Sequence, residues 1–445
     1  MNRPTRAISR RAFLDRGAAL GAAAIVADFS PARLTAIARA AARADTATRG
    51  ARADDEEFWR EVREAFTVAP TVINLDAAAV SPSPRVVTES MVRHVWVEQE
   101  APTVMQDMLG PTVVNTAREL AALLGCSMDE IALTRNATEA LHNVLLGVEL
   151  QRGDEVLTTT HDYWAMHNAL DQRAAREGIV VRRVPVPAPA ASMDQLVETI
   201  ERGITPRTRL ILISNPVNLT GQFFPVRRIC DLAHAKGIEV CVDGAQGFAH
   251  TDFRIADLGC DYYGTSLHKW LMAPIGTGLL YIKREKIAKV WPLMPTDPEA
   301  PKDSNFKFMD IGTHSLAPAV AISDAIHFHQ RVGARRKEER LRHLTRVWTD
   351  RLRALPGVRF FTSFDSPEMS CGIATFTLDR VSPDALQRYL WTRHAILVRD
   401  EWSTRAPGFR GVRVSPNVYT SPEDLDAFCD AVEQVARKGL PAAGS

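Results

Sequence analysis

Residues 261–282, DYYGTSLHKWLMAPIGTGLLYI, decide how this chain is read. They set Lys269 between His268 and Trp270, with the Ser266 hydroxyl three residues upstream and a Gly- and Pro-rich turn at 274–278 behind. The apolar run 279–282 then returns to regular structure. A lysine in so apolar and tightly turned a setting loses part of its hydration, which favours the free amine that condenses with a carbonyl. Ser266 and His268, two residues apart, could reach one phosphate while Lys269 reaches elsewhere. An ordinary surface lysine at a strand end fits the same residues, so the rest of the chain has to break the tie.

Working outward, extended and helical patterns alternate. Strand patterns at 131–134, 155–159, 179–184, 209–214 and 238–242 are separated by helical patterns from Ala137 and over 163–177, 193–202 and 226–236. That alternation predicts an α/β domain with a largely parallel sheet, whose ligand sits at the carboxyl ends of the strands. Ahead of it come a helical pattern at 54–69, an extended entry at 72–75 and helices at 85–98 and 111–124. Behind it come a Pro-rich acidic loop at 292–305 placed near the site and a densely charged helix at 331–353 read as a solvated face. Strands near 372–378, 396–399 and 411–415, with a final helix at 422–437, predict a small α+β domain. The division expected is a leader at 1–44, a linker and helix at 45–75, a large domain at 76–330 and a small one at 331–440.

The residues of interest fall at strand ends. Arg135-Asn136-Ala137-Thr138-Glu139 opens a helix; Asn136 and Glu139 have capping-box spacing, and the same helix start can hold a phosphate with its free N–H groups and the Thr138 hydroxyl. Asn218, in the turn Ser214–Gly221, could donate to a ring oxygen or simply close the turn. The strand at 238–242 delivers Asp243-Gly244-Ala245-Gln246, and a carboxylate at the end of a buried strand is costly unless it meets a cation.

Asp-Gly-Ala-Gln, then Ser-x-His-Lys-Trp with the lysine 26 residues after the aspartate, then Pro-x-Gly-x-Gly, resembles the class V aminotransferase family. The resemblance runs from about residue 75 to the C-terminus and is closest to the isopenicillin N epimerase-like branch. It implies a fold-type I enzyme that uses pyridoxal 5′-phosphate (PLP), built as a large domain with a mainly parallel sheet and a small C-terminal α+β domain. Lys269 would carry the cofactor and move the Cα proton, and Asp243 would pair with the ring nitrogen. Gln246 and Asn218 would bond the ring 3′-oxygen. Ala137, Thr138, Ser266 and His268 would hold the phosphate, with Thr277 reaching over from the partner in a homodimer. The stacking residue can be aligned as His161 or Tyr163, and Tyr163 is favoured. Arg413, in Arg413-Val414-Ser415-Pro416-Asn417, would grip the substrate α-carboxylate with its two-donor fork.

One departure matters. Residues 398–410, VRDEWSTRAPGFR, contain no cysteine where desulfurases of this family carry their nucleophile, so persulfide chemistry is not expected. Epimerisation or transamination of an amino-acid-type substrate, peptide-bound or from secondary metabolism, is the expected activity. A β-eliminating lyase and a non-catalytic ligand-binding protein are the alternatives.

Composition bounds the rest. The chain has 445 residues, 46% hydrophobic and 24% charged, with a net charge of +1, which suits a globular protein and predicts no nucleic-acid partner. Ser9-Arg10-Arg11-Ala12-Phe13-Leu14 followed by a small-residue apolar run is a twin-arginine signal pattern, so export to the periplasm or beyond by the twin-arginine machinery is expected. Residues 1–44 hold eight Arg and two Asp; their removal would leave 46 basic and 51 acidic residues, a net charge of about −5. The six cysteines show no metal-ligand spacing and read as buried free thiols, and His161, His167, His327 and His329 as ordinary polar histidines.

Overall fold

The computed structural model describes residues 52–296 and 301–441; the twin-arginine segment lies outside the described residues. In chain order come α1 (Glu56–Arg63), β1 (Ile73–Asn74), α2 (Arg85–Glu100) and α3 (Pro102–Leu124). The alternating region follows: β2 (Ile131–Thr134), α4 (Ala137–Gly147), β3 (Glu155–Thr159), α5 (Trp164–Glu177), β4 (Val180–Val184), α6 (Met193–Gly203), β5 (Thr208–Ser214), α7 (Val226–His234), β6 (Glu239–Asp243), β7 (Tyr262–Ser266) and β8 (Gly278–Ile282). These strands form one seven-stranded sheet in the order β2-β8-β7-β6-β5-β3-β4, in which only β8 runs against its neighbours.

The strands are short apolar runs because both faces of the sheet are covered. Leu157, Ile211, Ile213, Val240 and Val242 pack on one face with α3, α6 and α7. Val156, Leu210, Leu212 and Cys241 pack on the other with α4 and α5. Each such buried aliphatic side chain contributes about 1.5–3 kcal/mol over leaving it exposed. The strand order sends the carboxyl ends of β5, β6 and β7 side by side, with Ser214 level with Asp243 and Asp243 with Gly264.

The remainder is α8 (Ala317–Val332), α9 (Ala334–Arg353), β9 (Val358–Phe360), β10 (Ala374–Leu378), α10 (Pro383–His394), β11 (Ile396–Leu397), β12 (Arg399–Trp402), β13 (Arg410–Val414) and α11 (Pro422–Lys438). Here the sheet is antiparallel, β12-β13-β10-β9. β1 pairs in parallel with β11, and Leu75 is buried among Leu344, Trp348, Phe376 and Val412. The entry segment expected as linker therefore helps build the core of the C-terminal unit.

Three expectations are corrected. The helix expected from 111 begins at Pro102 and carries Pro111 inside it. Leu109 and Val113, on either side of the proline, pack on Val320, and this tertiary contact outweighs the lost backbone bond. The helix expected over 54–69 ends at Arg63, since Phe66 bridges to Pro84. The charged segment breaks at Gly333, whose φ is 89°, and its second half is not simply solvated. Arg336 and Arg340 are buried under α1, with the guanidinium groups over Phe58 and Trp59 and Arg340 paired with Glu56, and Lys337 is buried against Trp270 O. The cysteines form no disulfide; Cys126 is partly exposed and the other five are buried.

Candidate active site

Ten of the eleven residues singled out above line one cavity of about 900 Å³: Lys269, Asp243, Tyr163, Ala137, Thr138, Asn218, Gln246, Ser266, His268 and Arg413. The cavity opens at the carboxyl ends of β2, β3, β5, β6 and β7, where a sheet of this kind leaves its crevice. Thr277 is not among its walls; its hydroxyl is buried and donates to Pro274 O at 2.6 Å within its own loop.

Lys269 leaves β7 in a tight, buried turn that closes at Met272, a non-glycine residue with φ 61°. Burial depresses its ammonium to about 8, against a raising pull from Asp243, so a large part is free amine at mildly alkaline pH. Asp243 ends β6, accepts from Ala245 N at 3.0 Å and is lifted to about 6 chiefly by burial. Among the described residues no basic side chain stands within ion-pair distance of it. Gly244 follows because a Cβ there would meet the Tyr263 ring at 2.0 Å. Asp162, also on the cavity wall, is held by Thr158 Oγ1, Thr159 N and Ser214 N at 2.6–2.7 Å.

The opposite end is built for an anion. Ser266 Oγ accepts from Ala137 N at 2.9 Å, tying β7 to the start of α4 and leaving its own proton free to donate. Gly278 lets β8 approach that helix start, since a Cβ would lie 2.6 Å from Asn136 Cα. Only half of the expected capping box forms: Asn136 Oδ1 accepts from Glu139 N at 2.9 Å, while Glu139 turns to Arg135 N at 2.6 Å. His268 Nδ1 faces Thr277 O at 3.1 Å, and burial lowers the ring to about 4. A neutral ring with its proton on Nδ1 accepts at Nε2, so donation to a phosphate requires the imidazolium that a dianion would favour.

Between the two ends, Gln246 Nε2 donates to Ala78 O and its Oε1 accepts from Trp270 Nε1, both at 2.8 Å, leaving one amide N–H uncommitted. Asn218 Oδ1 is buried without a partner. Tyr163, the N-cap of α5, faces the cavity, whereas His161 is buried against Phe409 at 5.6 Å. Of the two, Tyr163 lines the cavity and His161 does not. Of the Pro-rich loop, Asp303, Ser304 and Asn305 line a separate pocket with Asp129 and Arg284, and Leu293 N donates to Asn143 Oδ1 at 3.0 Å.

Arg413 is not open. Its Nη2 donates to Asp76 Oδ1 at 2.8 Å and its Nη1 meets Glu401 Oε1 at 2.6 Å and Asn218 O at 3.1 Å. Asp76 also accepts from Arg399 Nε at 3.0 Å. Sequence reasoning missed Asp76, Arg399 and Glu401, although Arg399 and Glu401 lay in the quoted segment 398–410. The available signal was the charged run Arg399-Asp400-Glu401, which an antiparallel pairing with the strand of Arg413 would bring beside it.

These residues fit PLP. A cation-free buried carboxylate suits a protonated ring nitrogen, the uncommitted Gln246 amide N–H suits a ring oxygen, and the α4 start with Ser266 suits a phosphate. Lys269 lies among these groups as a buried, easily neutralised amine.

Comparison with known proteins agrees. Isopenicillin N epimerase of Amycolatopsis lactamdurans is 30% identical over 398 residues, covering 85% of this chain and 99% of that one. A probable cysteine desulfurase of Halalkalibacterium halodurans is 27% identical, covering 69% and 78%. The solved C-DES variant with glycine covalently linked to its PLP cofactor shares the fold at a TM-score of 0.74 and 21% identity, covering 83% of this chain and 98% of that one. The family model for aminotransferase class V matches residues 73–428, which takes in every residue of the cavity just described, and the chain belongs to that family.

Proposed function

We propose that this class V, PLP-dependent enzyme epimerises an amino-acid-derived substrate at Cα, with transamination as the neighbouring outcome of the same first step. The observation that carries the reading is the near-complete alignment with isopenicillin N epimerase, 99% of that chain. PLP, when bound, supplies an electron sink for the charge that develops at the substrate Cα. The chain's own residues do the rest. Asp243 keeps a positive ring nitrogen balanced in a dry site. Lys269, neutral in part because it is buried, takes and returns the Cα proton. Tyr163, whose phenol burial holds protonated, orients the ring and donates. Arg413 receives the substrate carboxylate.

A second reading, a β-eliminating carbon–sulfur lyase, is supported by the desulfurase relatives. Two observations weigh against persulfide transfer by the enzyme itself: among the described residues no cysteine lines the cavity, and burial pushes the Cys371 and Cys429 thiols up to about 12. Incubation of candidate amino acids and peptides in D2O separates the readings. Deuterium at Cα with inverted configuration supports epimerisation; release of sulfide with a keto acid supports the lyase. Lys269→Ala should abolish both, together with the yellow colour of the bound cofactor.

We further propose a homodimer, exported folded by the twin-arginine route. Exposed Val92, Val95, Trp96, Val104 and Met108 on α2 and α3 support the first, and the Arg10-Arg11 pattern the second. Sedimentation velocity tests the assembly: a monomer at micromolar concentration would refute it.

A further inference from the structure

Arg413 offers a substrate carboxylate no vacant fork. A carboxylate bound end-on takes both terminal nitrogens of a guanidinium, and here Nη2 holds Asp76 and Nη1 holds Glu401 and a backbone oxygen, while Nε is buried without a partner. The two acids are not equivalent. Asp76 bridges Arg413 and Arg399, the like charges that stand directly opposite on β13 and β12, and its own N–H is tied to Asn74. Removing it would leave those two cations facing each other. Among the described residues Glu401 has Arg413 as its only ion-pair partner, and it sits on the edge strand β12, on the cavity wall.

Resting on the reading that Arg413 receives the substrate carboxylate, we propose that Glu401 occupies that carboxylate's place, and that the substrate enters by displacing it with uptake of one proton at Glu401. The charge balance requires the proton. Arg399 and Arg413 are matched by Asp76 and Glu401; a third carboxylate would leave one buried negative charge unmatched. Arg399 already has its Nε and Nη2 on Asp76 Oδ2, which leaves the displaced Glu401 only Nη1 on a half-exposed side chain, a weaker partner than Arg413. The other groups around Glu401 are Asp400, which leans on Arg410 at 3.7 Å, Tyr163 and Lys269. Of these only Lys269 is basic, and Asp243 already draws on it. Burial raises the Glu401 carboxyl, and Arg413 is the first of the groups holding it down. Giving up Arg413 therefore releases the group toward its protonated form.

The site then binds carboxylates as acid exchange rather than as simple ion pairing. Specificity follows: the incoming anion has to outbid an internal glutamate, so small carboxylates bind weakly and a substrate needs contacts elsewhere in the cavity.

Titration calorimetry of propionate into the cofactor-loaded protein between pH 6.5 and 9, in two buffers of different ionisation heat, tests this. Wild type should take up about one proton per propionate and lose affinity about tenfold per pH unit across the upper part of the range. Glu401→Gln should abolish that slope and bind propionate about tenfold tighter or more at pH 8.5, with Lys269 and Tyr163 still present. A wild-type affinity that is flat with pH and buffer-independent overturns the proposal, and that measurement needs no variant. A slope retained in Glu401→Gln also overturns it, by placing the proton elsewhere. Propionate binding that survives Arg413→Gln unchanged would instead refute the carboxylate reading itself, and the proposal with it.

Discussion

Asp76 Oδ1 accepts a hydrogen bond from Arg413 Nη2 at 2.8 Å, with both side chains buried and 337 positions apart in the chain. The contact ties the segment after β1 to β13 and holds the site arginine in place. It also separates Arg413 from Arg399, its direct neighbour across the strand pair.

Asp76→Asn should therefore destabilise the protein by about 3 kcal/mol, the low end for breaking a buried pair, because Arg413 keeps Glu401. Urea unfolding measures it. A loss below about 1 kcal/mol would mean that the arginines relax apart without the carboxylate.

Asp243→Asn should keep the fold and the bound cofactor's absorbance but slow Cα proton exchange by roughly a hundredfold or more. The amide is nearly isosteric, so packing holds, yet it cannot balance a positive ring nitrogen, and each ~1.4 kcal/mol is tenfold in rate. Washout of Cα deuterium reads the step directly. Exchange near the wild-type rate would show that Asp243 does not face the ring nitrogen.

Lys337 lies under the turn that carries Lys269, fully buried, and its amine donates to Trp270 O. Burial depresses it to about 7 from an ordinary 10.5. Between those values the unfolded chain holds the proton and the folded one has lost it, so folding stability rises with pH through this window. Lys337→Met should remove a slope of up to about 1.4 kcal/mol per pH unit between pH 7 and 9.5. Parallel pH profiles for variant and wild type would show that Lys337 stays charged in the fold.

Replacing Arg10-Arg11 by Lys-Lys should trap cofactor-loaded protein in the cytoplasm. Fractionation with an activity assay on each compartment decides it, and undiminished activity outside the cytoplasm would point to another route.

Regular structure around the site was legible in the sequence because its signals are local. The strands β2 and β3 and the start of α4 fall where the apolar runs and Asn136 place them, and Lys269, Asp243 and Ser266 sit at strand ends set by short-range patterns. Tertiary structure alone decided what those patterns do not encode. Pro111 stays inside α3 because Val320, more than 200 residues later, packs on both sides of it. Lys337 and Arg340 look like surface charges along their own helix, yet α1 and the Trp270 turn bury them. Arg413 carries its donor fork in the sequence, but whether that fork is open depends on Asp76 and Glu401. Those two reach it through strand pairing across the small domain, and the energy of a buried charge depends on which partners the fold brings within hydrogen-bond distance, not on their spacing along the chain.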